Sequence, residues 1–336
     1  MLDETPQADS GTKAHVSTGR IADLGRFLAP RDLVVVNDAA TLPASLQGRD
    51  ANGAAIEVRL VARRGPRSFA AVLFGAGDWR TRTEDRPAPP TLAVGAHLSF
   101  GANDALAAII LLVSPLSRRL VTLKFDRGDD ALFGALYTLG RPIQYSHHDE
   151  PLPLWAVQNV YAARPAAFEL PSAGRPLTWS LLSALRARGV ALASLTHAAG
   201  LSAVGDPILD ALLPLPESYE IPRATARAVR ATRARGGRVI AVGTTVVRAL
   251  ESAAAHTGEV RAGAAETNLR IGPGHRRRVV DGLLCGMHAP GESHYELLQA
   301  FAAPAHLARA TEIAARAGFY AHELGDSTLI LAPRPR

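Results

Sequence analysis

The 336-residue chain has little cysteine, lysine or aromatic character and no long apolar run. Its single cysteine, Cys285, cannot form an internal disulfide, which fits a reducing compartment. No Cys/His spacing of a structural zinc site occurs either, so no metal is expected. A membrane helix needs roughly 18 uninterrupted apolar residues, and no stretch approaches that. The opening "MLDETPQADSGTKAH" has neither the basic start nor the apolar centre of a secretory signal. These absences point to a cytoplasmic protein, not attached to a membrane, with a disordered leader over 1–19. The GxGxxG and GxSxG signatures and the phosphate-binding glycine loop ending in Gly-Lys are also missing, which argues against the commonest nucleotide-binding and hydrolase classes. No tandem repeat is evident.

A hydrophobic content of 47% over this length supports two domains of ordinary size. The formal charge of +6 invites a nucleic-acid partner. The positive charge is almost entirely arginine, with lysine only at Lys13 and Lys124. It is dispersed, apart from "HRRR" at 275–278 and the series Arg223, Arg227, Arg230, Arg233 and Arg235, which has helical spacing and reads as a solvated face.

"IADLGRFL" reads as a helix and "DLVVVND" as a strand. From about 54 to 125, short β-rich runs such as "AAIEVRLVAR", "SFAAVLFG" and "RRLVTLKF" follow one another between turn residues, the pattern of a small antiparallel barrel or sandwich. The proline-rich "EDRPAPPTL" is a loop within it. After about 150, helix and strand alternate, which implies a largely parallel sheet with helices on its faces. If the strand at 32–38 joins that sheet, the barrel is an insertion. The expected fold class is therefore α/β, with a discontinuous α/β domain over 20–50 and 146–336 and a β-barrel-like domain over 51–145.

Candidate chemistry lies just after strands, where α/β sheets place ligands. Asn37 and Asp38 end the first strand, and His197 ends "VALASLTH". In "RVIAVGTTVVRALESA" a β-branched run breaks at Gly243-Thr244-Thr245 and becomes a helix carrying Arg248 and Glu251 one turn apart. Free amides, a glycine and two hydroxyls there suit an anion, a ribose or a carboxylate, although Thr244 as a simple helix cap is the plainer alternative. "VVDGLLCGMHAPGESHYELL" adds Asp281, His288, Glu292 and His294, and a histidine beside carboxylates is what proton transfer needs. "HHDE" at 147–150 reads as a polar loop, since adjacent side chains on an extended segment diverge. Cys285 reads as a buried thiol.

Together "DLVVVNDAATLPASLQG", "VYAARPAAFELPSAGRPL", "GGRVIAVGTTVVRALESA", "GPGHRRRVVDGLLCGMHAP" and "ELGDSTLI" resemble, in order and spacing, the motifs of the S-adenosylmethionine:tRNA ribosyltransferase-isomerase family of queuosine biosynthesis. The resemblance runs from about 20 to 333. It implies a discontinuous α/β domain with an inserted β-barrel. It also implies S-adenosylmethionine as co-substrate, tRNA as partner, and transfer of the ribosyl moiety to an aminomethyl 7-deazaguanine base, with loss of adenine and methionine. By this resemblance His288, His197 and Glu217 are the catalytic candidates. Asn37, Asp38, Gly174, Gly243, Thr244, Thr245, Arg248, Glu251, Asp281 and Asp326 are the binding candidates, and the expected state is a monomer. Several positions depart from the motifs: Ala40 and Ser45 stand where the family has arginines, Arg175-Pro176 replaces Leu-His, and Cys285-Gly286-Met287 replaces Thr-Asn-Phe. The family's N-terminal elements ahead of the first helix are also missing. Two further readings stay open, a paralogue with a small-molecule acceptor and a non-catalytic binding protein on the same fold.

Overall fold

The computed structural model describes residues 2–3, 15–147, 150–321 and 324–332. Its centre is a nine-stranded mixed sheet. Leu33–Asn37 lies between Ala191–His197 and Val239–Val242, and Gly282–Gly286 follows, all four parallel. Every residue of Leu33–Asn37 and Val239–Val242 is buried. This is why these runs are continuously apolar or β-branched instead of alternating, as befits strands covered on both faces. Outside these central strands the pairing is antiparallel except where Leu2–Asp3 lies parallel to Ser327–Leu331. Glu217–Ile221 and Gly263–Thr267 extend one side antiparallel, and Ser327–Leu331 pairs antiparallel with Gly282–Gly286 on the other.

Beyond Ser327–Leu331 the sheet continues through Leu2–Asp3 and His15–Val16. These strands fall inside the stretch expected to be a disordered leader. Each is only two residues long, too short for any period to register, and backbone pairing to the sheet edge places them. Residues 1 and 4–14 of that stretch lie outside the described residues, as do His148 and Asp149 of the "HHDE" segment.

Helices cover the sheet through amphipathic stripes. Arg223–Ala234 buries Thr225, Ala226, Val229 and Thr232, one face at helical spacing, and leaves Arg223, Arg227, Arg230 and Arg233 exposed. The arginine series is thus the solvated face expected of it. No helix among the described residues is long and apolar enough to cross a membrane.

After Asn37 the chain leaves the sheet and closes a six-stranded antiparallel barrel from Ser45–Asp50, Ala55–Arg63, Ser68–Phe74, His97–Phe100, Leu106–Val113 and Leu120–Phe125. The barrel thus begins at Ser45, ahead of the boundary at 51 suggested by texture. Phe69, Phe100 and Phe125 meet edge-on or tilted in its interior, and Leu132 and Leu136 of the Asp129–Leu139 helix join the same core. Phe168, Leu201 and Val204 also belong to this core. The loop after the Ala191–His197 strand is therefore anchored in the barrel. That loop carries Gly200 and Ser202 between the two cores, where the site forms.

Within the barrel wall Glu57 is buried with two arginines. Arg59 donates to it at 2.7 Å and Arg86 at 2.5 Å, and the Ser45 hydroxyl adds a third bond at 2.8 Å. Arg86 arrives from the proline-rich loop, so that loop closes the barrel's electrostatics. Burial alone would raise the Glu57 carboxyl, but the two guanidiniums outweigh it and hold the group below the usual carboxylate range.

Candidate active site

A cleft of about 540 Å³ opens where the carboxyl ends of the central strands face the barrel-anchored loop. Gly243, Thr244, Thr245, Arg248, Glu217 and His288 all line it. Gly243 precedes the Thr244–Ala253 helix with φ of +94°, a conformation that favours glycine, and it makes no side-chain cap. Thr244 is therefore not a cap residue. It is the first residue of the helix, and the uncapped amides of this turn lie at the cleft wall. The Thr245 hydroxyl meets the Asn37 side-chain amide at 3.4 Å. Asn37 also bonds the His197 amide and carbonyl at 2.9 and 3.0 Å, which locks the two strand ends together.

Deeper in the wall, Arg248 donates through Nη1 to the Glu217 carboxylate and through Nε to the Leu269 carbonyl at 2.9 Å. Glu217 also accepts from the Gly200 amide at 2.6 Å. Its buried side chain stands 3.6 Å from Nε2 of His197. Burial raises the Glu217 carboxyl, and this outweighs the lowering by Arg248 and the Gly200 amide. His197 is fully buried and stacks on Tyr219 with ring centroids 6.5 Å apart. Its burial, with Arg248 nearby, pushes its imidazole down to about 3, so the ring is neutral at physiological pH. Among the described residues neither ring nitrogen has a hydrogen-bond partner.

His288 lies at another side of the cleft. Its Nδ1 is 3.5 Å from the Glu292 carboxylate, and its ring stacks on His294 at 4.8 Å. Cys285 also lines the cleft but is buried, with its thiol pushed up to about 12. Among the described residues no cluster of three or more His, Cys, Asp and Glu could hold a metal ion.

The other candidates are placed elsewhere. Asp38 accepts the hydroxyls of Ser194 and Thr196 at 2.7 and 2.6 Å and does not line the cleft. Gly174 does not line the cleft, and a side chain there would collide with the Tyr161 hydroxyl and the Asn159 amide. Glu251 turns away from the cleft and accepts the backbone amides of Arg278, Val279 and Val280 at 2.8–3.0 Å. Asp281 precedes its strand and accepts the Val239 amide, so it sits at the opposite end of the sheet. Asp326 lines a separate cavity of about 430 Å³ near the Pro304–Arg316 helix, which His288 also borders.

Sequence reading missed Glu169, Tyr145 and Ser202, which also line the cleft. Glu169 accepts the Ser202 amide and hydroxyl at 3.0 and 2.8 Å and the Tyr145 hydroxyl. A lone acid in "AAFELP" carries no pattern, and only the fold brings these three together.

Residues 7–330 match the model of the family described as Queuosine biosynthesis protein. The chain belongs to that family. It is 34% identical over 320 residues to the S-adenosylmethionine:tRNA ribosyltransferase-isomerase of Moorella thermoacetica, covering 92% of this chain and 87% of that one. With the enzyme of the same name from Sorangium cellulosum it shares 36% over 338 residues, 96% and 90% of the two chains. A crystal structure of S-adenosylmethionine tRNA ribosyltransferase from Thermotoga maritima aligns with 26% identity and a TM-score of 0.47, over 92% and 86% of the chains.

Proposed function

We propose that this member of the family transfers the ribosyl moiety of S-adenosylmethionine to a 7-aminomethyl-7-deazaguanine base in tRNA, in the cytoplasm and as a monomer. The product is epoxyqueuosine, with adenine and methionine released. The observation that carries this reading is the buried Glu217–Arg248 pair beside the uncapped Gly243-Thr244-Thr245 turn, open to one cleft in a chain of this family. Such a turn offers amides and hydroxyls to ribose oxygens or to the methionyl carboxylate. The sulfonium of S-adenosylmethionine acidifies the adjacent C5′–H, so a positioned base can remove that proton and start the rearrangement. His288 is the better placed base, because it lines the cleft with Nδ1 3.5 Å from the Glu292 carboxylate. His197, held neutral, acts as a positioning residue beside Glu217.

A second reading, transfer to a small acceptor, draws support from Ser45. Where the family motif has an arginine, its hydroxyl is spent on Glu57 inside the barrel and offers no charge to a phosphate. The test is incubation with S-adenosylmethionine, with and without tRNA carrying the deazaguanine, followed by mass spectrometry. Adenine release only with that tRNA, and a matching mass gain on it, is expected. Release without tRNA would establish the second reading, and no release under either condition would contradict both.

A further inference from the structure

We propose that Glu169 holds a primary ammonium group in the cleft, and that the cleft therefore selects one of its ligands by an amine. The inference rests on reading this cleft as the site of S-adenosylmethionine and its acceptor. Glu169 is 8% exposed and lines the cleft beside Tyr145, Gly200 and Ser202. Its oxygens accept from the Ser202 amide at 3.0 Å, the Ser202 hydroxyl at 2.8 Å and the Tyr145 hydroxyl. All three donors are neutral. Among the described residues no Lys, Arg or His nitrogen lies within 4.0 Å of it.

The neighbouring acid is treated differently. Glu217 is two residues away along the same loop contact, since Gly200 donates to Glu217 and Ser202 to Glu169. Glu217 has Arg248 as a counter-ion in contact, whereas Glu169 is oriented by hydrogen bonds and feels only Arg59, whose guanidinium is ion-paired with Glu57. An ionised carboxylate out of water is costly unless a cation pairs with it. Burial accordingly raises the Glu169 carboxyl. A carboxylate has about four acceptor sites, and the three described donors leave room for one more on the Oε2 side. A ligand ammonium supplies both a cation in contact and the missing hydrogen bond.

Two ligand amines have this chemistry, the methionyl amine of the donor and the aminomethyl group of the acceptor. Calorimetry on the full chain separates them with two pairs of probes. One pair is S-adenosylmethionine and its analogue lacking the α-amine. The other is 7-aminomethyl-7-deazaguanine and 7-cyano-7-deazaguanine, whose nitrile carries no positive charge. The wild-type protein should prefer the amine in one pair by about ten- to a hundredfold, the size of a charge-assisted hydrogen bond. Glu169→Gln should lose that preference while binding the amine-free member as before, and Glu169→Asp, which keeps the charge, should retain part of it. Absence of any preference in the wild type, or its persistence in Glu169→Gln, would overturn the assignment. Failure of S-adenosylmethionine to bind at all would overturn the reading of the cleft itself, and the assignment with it.

Discussion

The barrel and the cleft each bury carboxylates among arginines, and they balance the charge in opposite directions. In the barrel one acid, Glu57, is held by two guanidiniums, Arg59 and Arg86, and its carboxyl is kept low. In the cleft Glu217 has one guanidinium, Arg248, while Glu169 has none in ion-pair contact and only the electrostatic influence of Arg59, which is itself paired with Glu57; both carboxyls are pushed up by burial. The cluster with excess cation is settled by the protein alone. The one short of cation faces a cavity, and its balance is completed by what enters. A perturbed carboxyl in a cleft is thus more telling than a buried ion pair as such.

The largest effect expected from breaking this contrast is on the barrel side. Glu57→Gln leaves two buried arginines without a carboxylate, and arginine cannot shed its proton. A loss of about 3–5 kcal/mol of stability is expected, read as a lowered urea midpoint. Arg248→Met should cost less, about 2 kcal/mol, because Glu217 can escape by taking up a proton. It should nevertheless abolish tight S-adenosylmethionine binding, which calorimetry reads directly. If the two variants lost equal stability and Arg248→Met bound normally, the contrast would be wrong.

The third expectation concerns pH. Folded His197 stays neutral to about 3, whereas an unfolded histidine takes up a proton near 6.5. Between these values the unfolded chain binds more protons, so stability falls as pH drops below about 6.5. From pH 6.5 to 5 this residue contributes a loss of about 2 kcal/mol. Urea melts of the wild type and His197→Gln at both pH values should show a shallower decline in the variant. The smallest effect is at the turn. Thr244→Ala should weaken S-adenosylmethionine binding about fivefold, roughly 1 kcal/mol, without moving the urea midpoint.

The turn at Gly243-Thr244-Thr245 was legible in the sequence because a buried β-branched strand and an amphipathic helix have different periods and meet at a glycine. Glu217 needed more than pattern. Its strand, "ESYEI", lies antiparallel at the side of the sheet between Pro216 and Pro222, and alternation over five residues is weak evidence without its partners. Glu251 misled because a spacing of three residues from Arg248 fixes neighbouring positions on a helix, not which neighbour each side chain meets. Glu251 instead satisfies three loop amides. Asp281 misled because its stretch contains a short strand whose direction only the parallel pairing with Val239–Val242 reveals. The Glu169–Ser202–Tyr145 group was illegible because its members come from three segments with no shared period.

S-adenosylmethionine is proposed to occupy the cleft bounded by the Gly243-Thr244-Thr245 turn and the Gly200 loop. Hydrogen–deuterium exchange with and without S-adenosylmethionine checks that placement. Protection of the amides at 197–203 and 243–248 is expected. Protection confined to the cavity between 16–24 and 307–329, or no protection at saturating ligand, would contradict it.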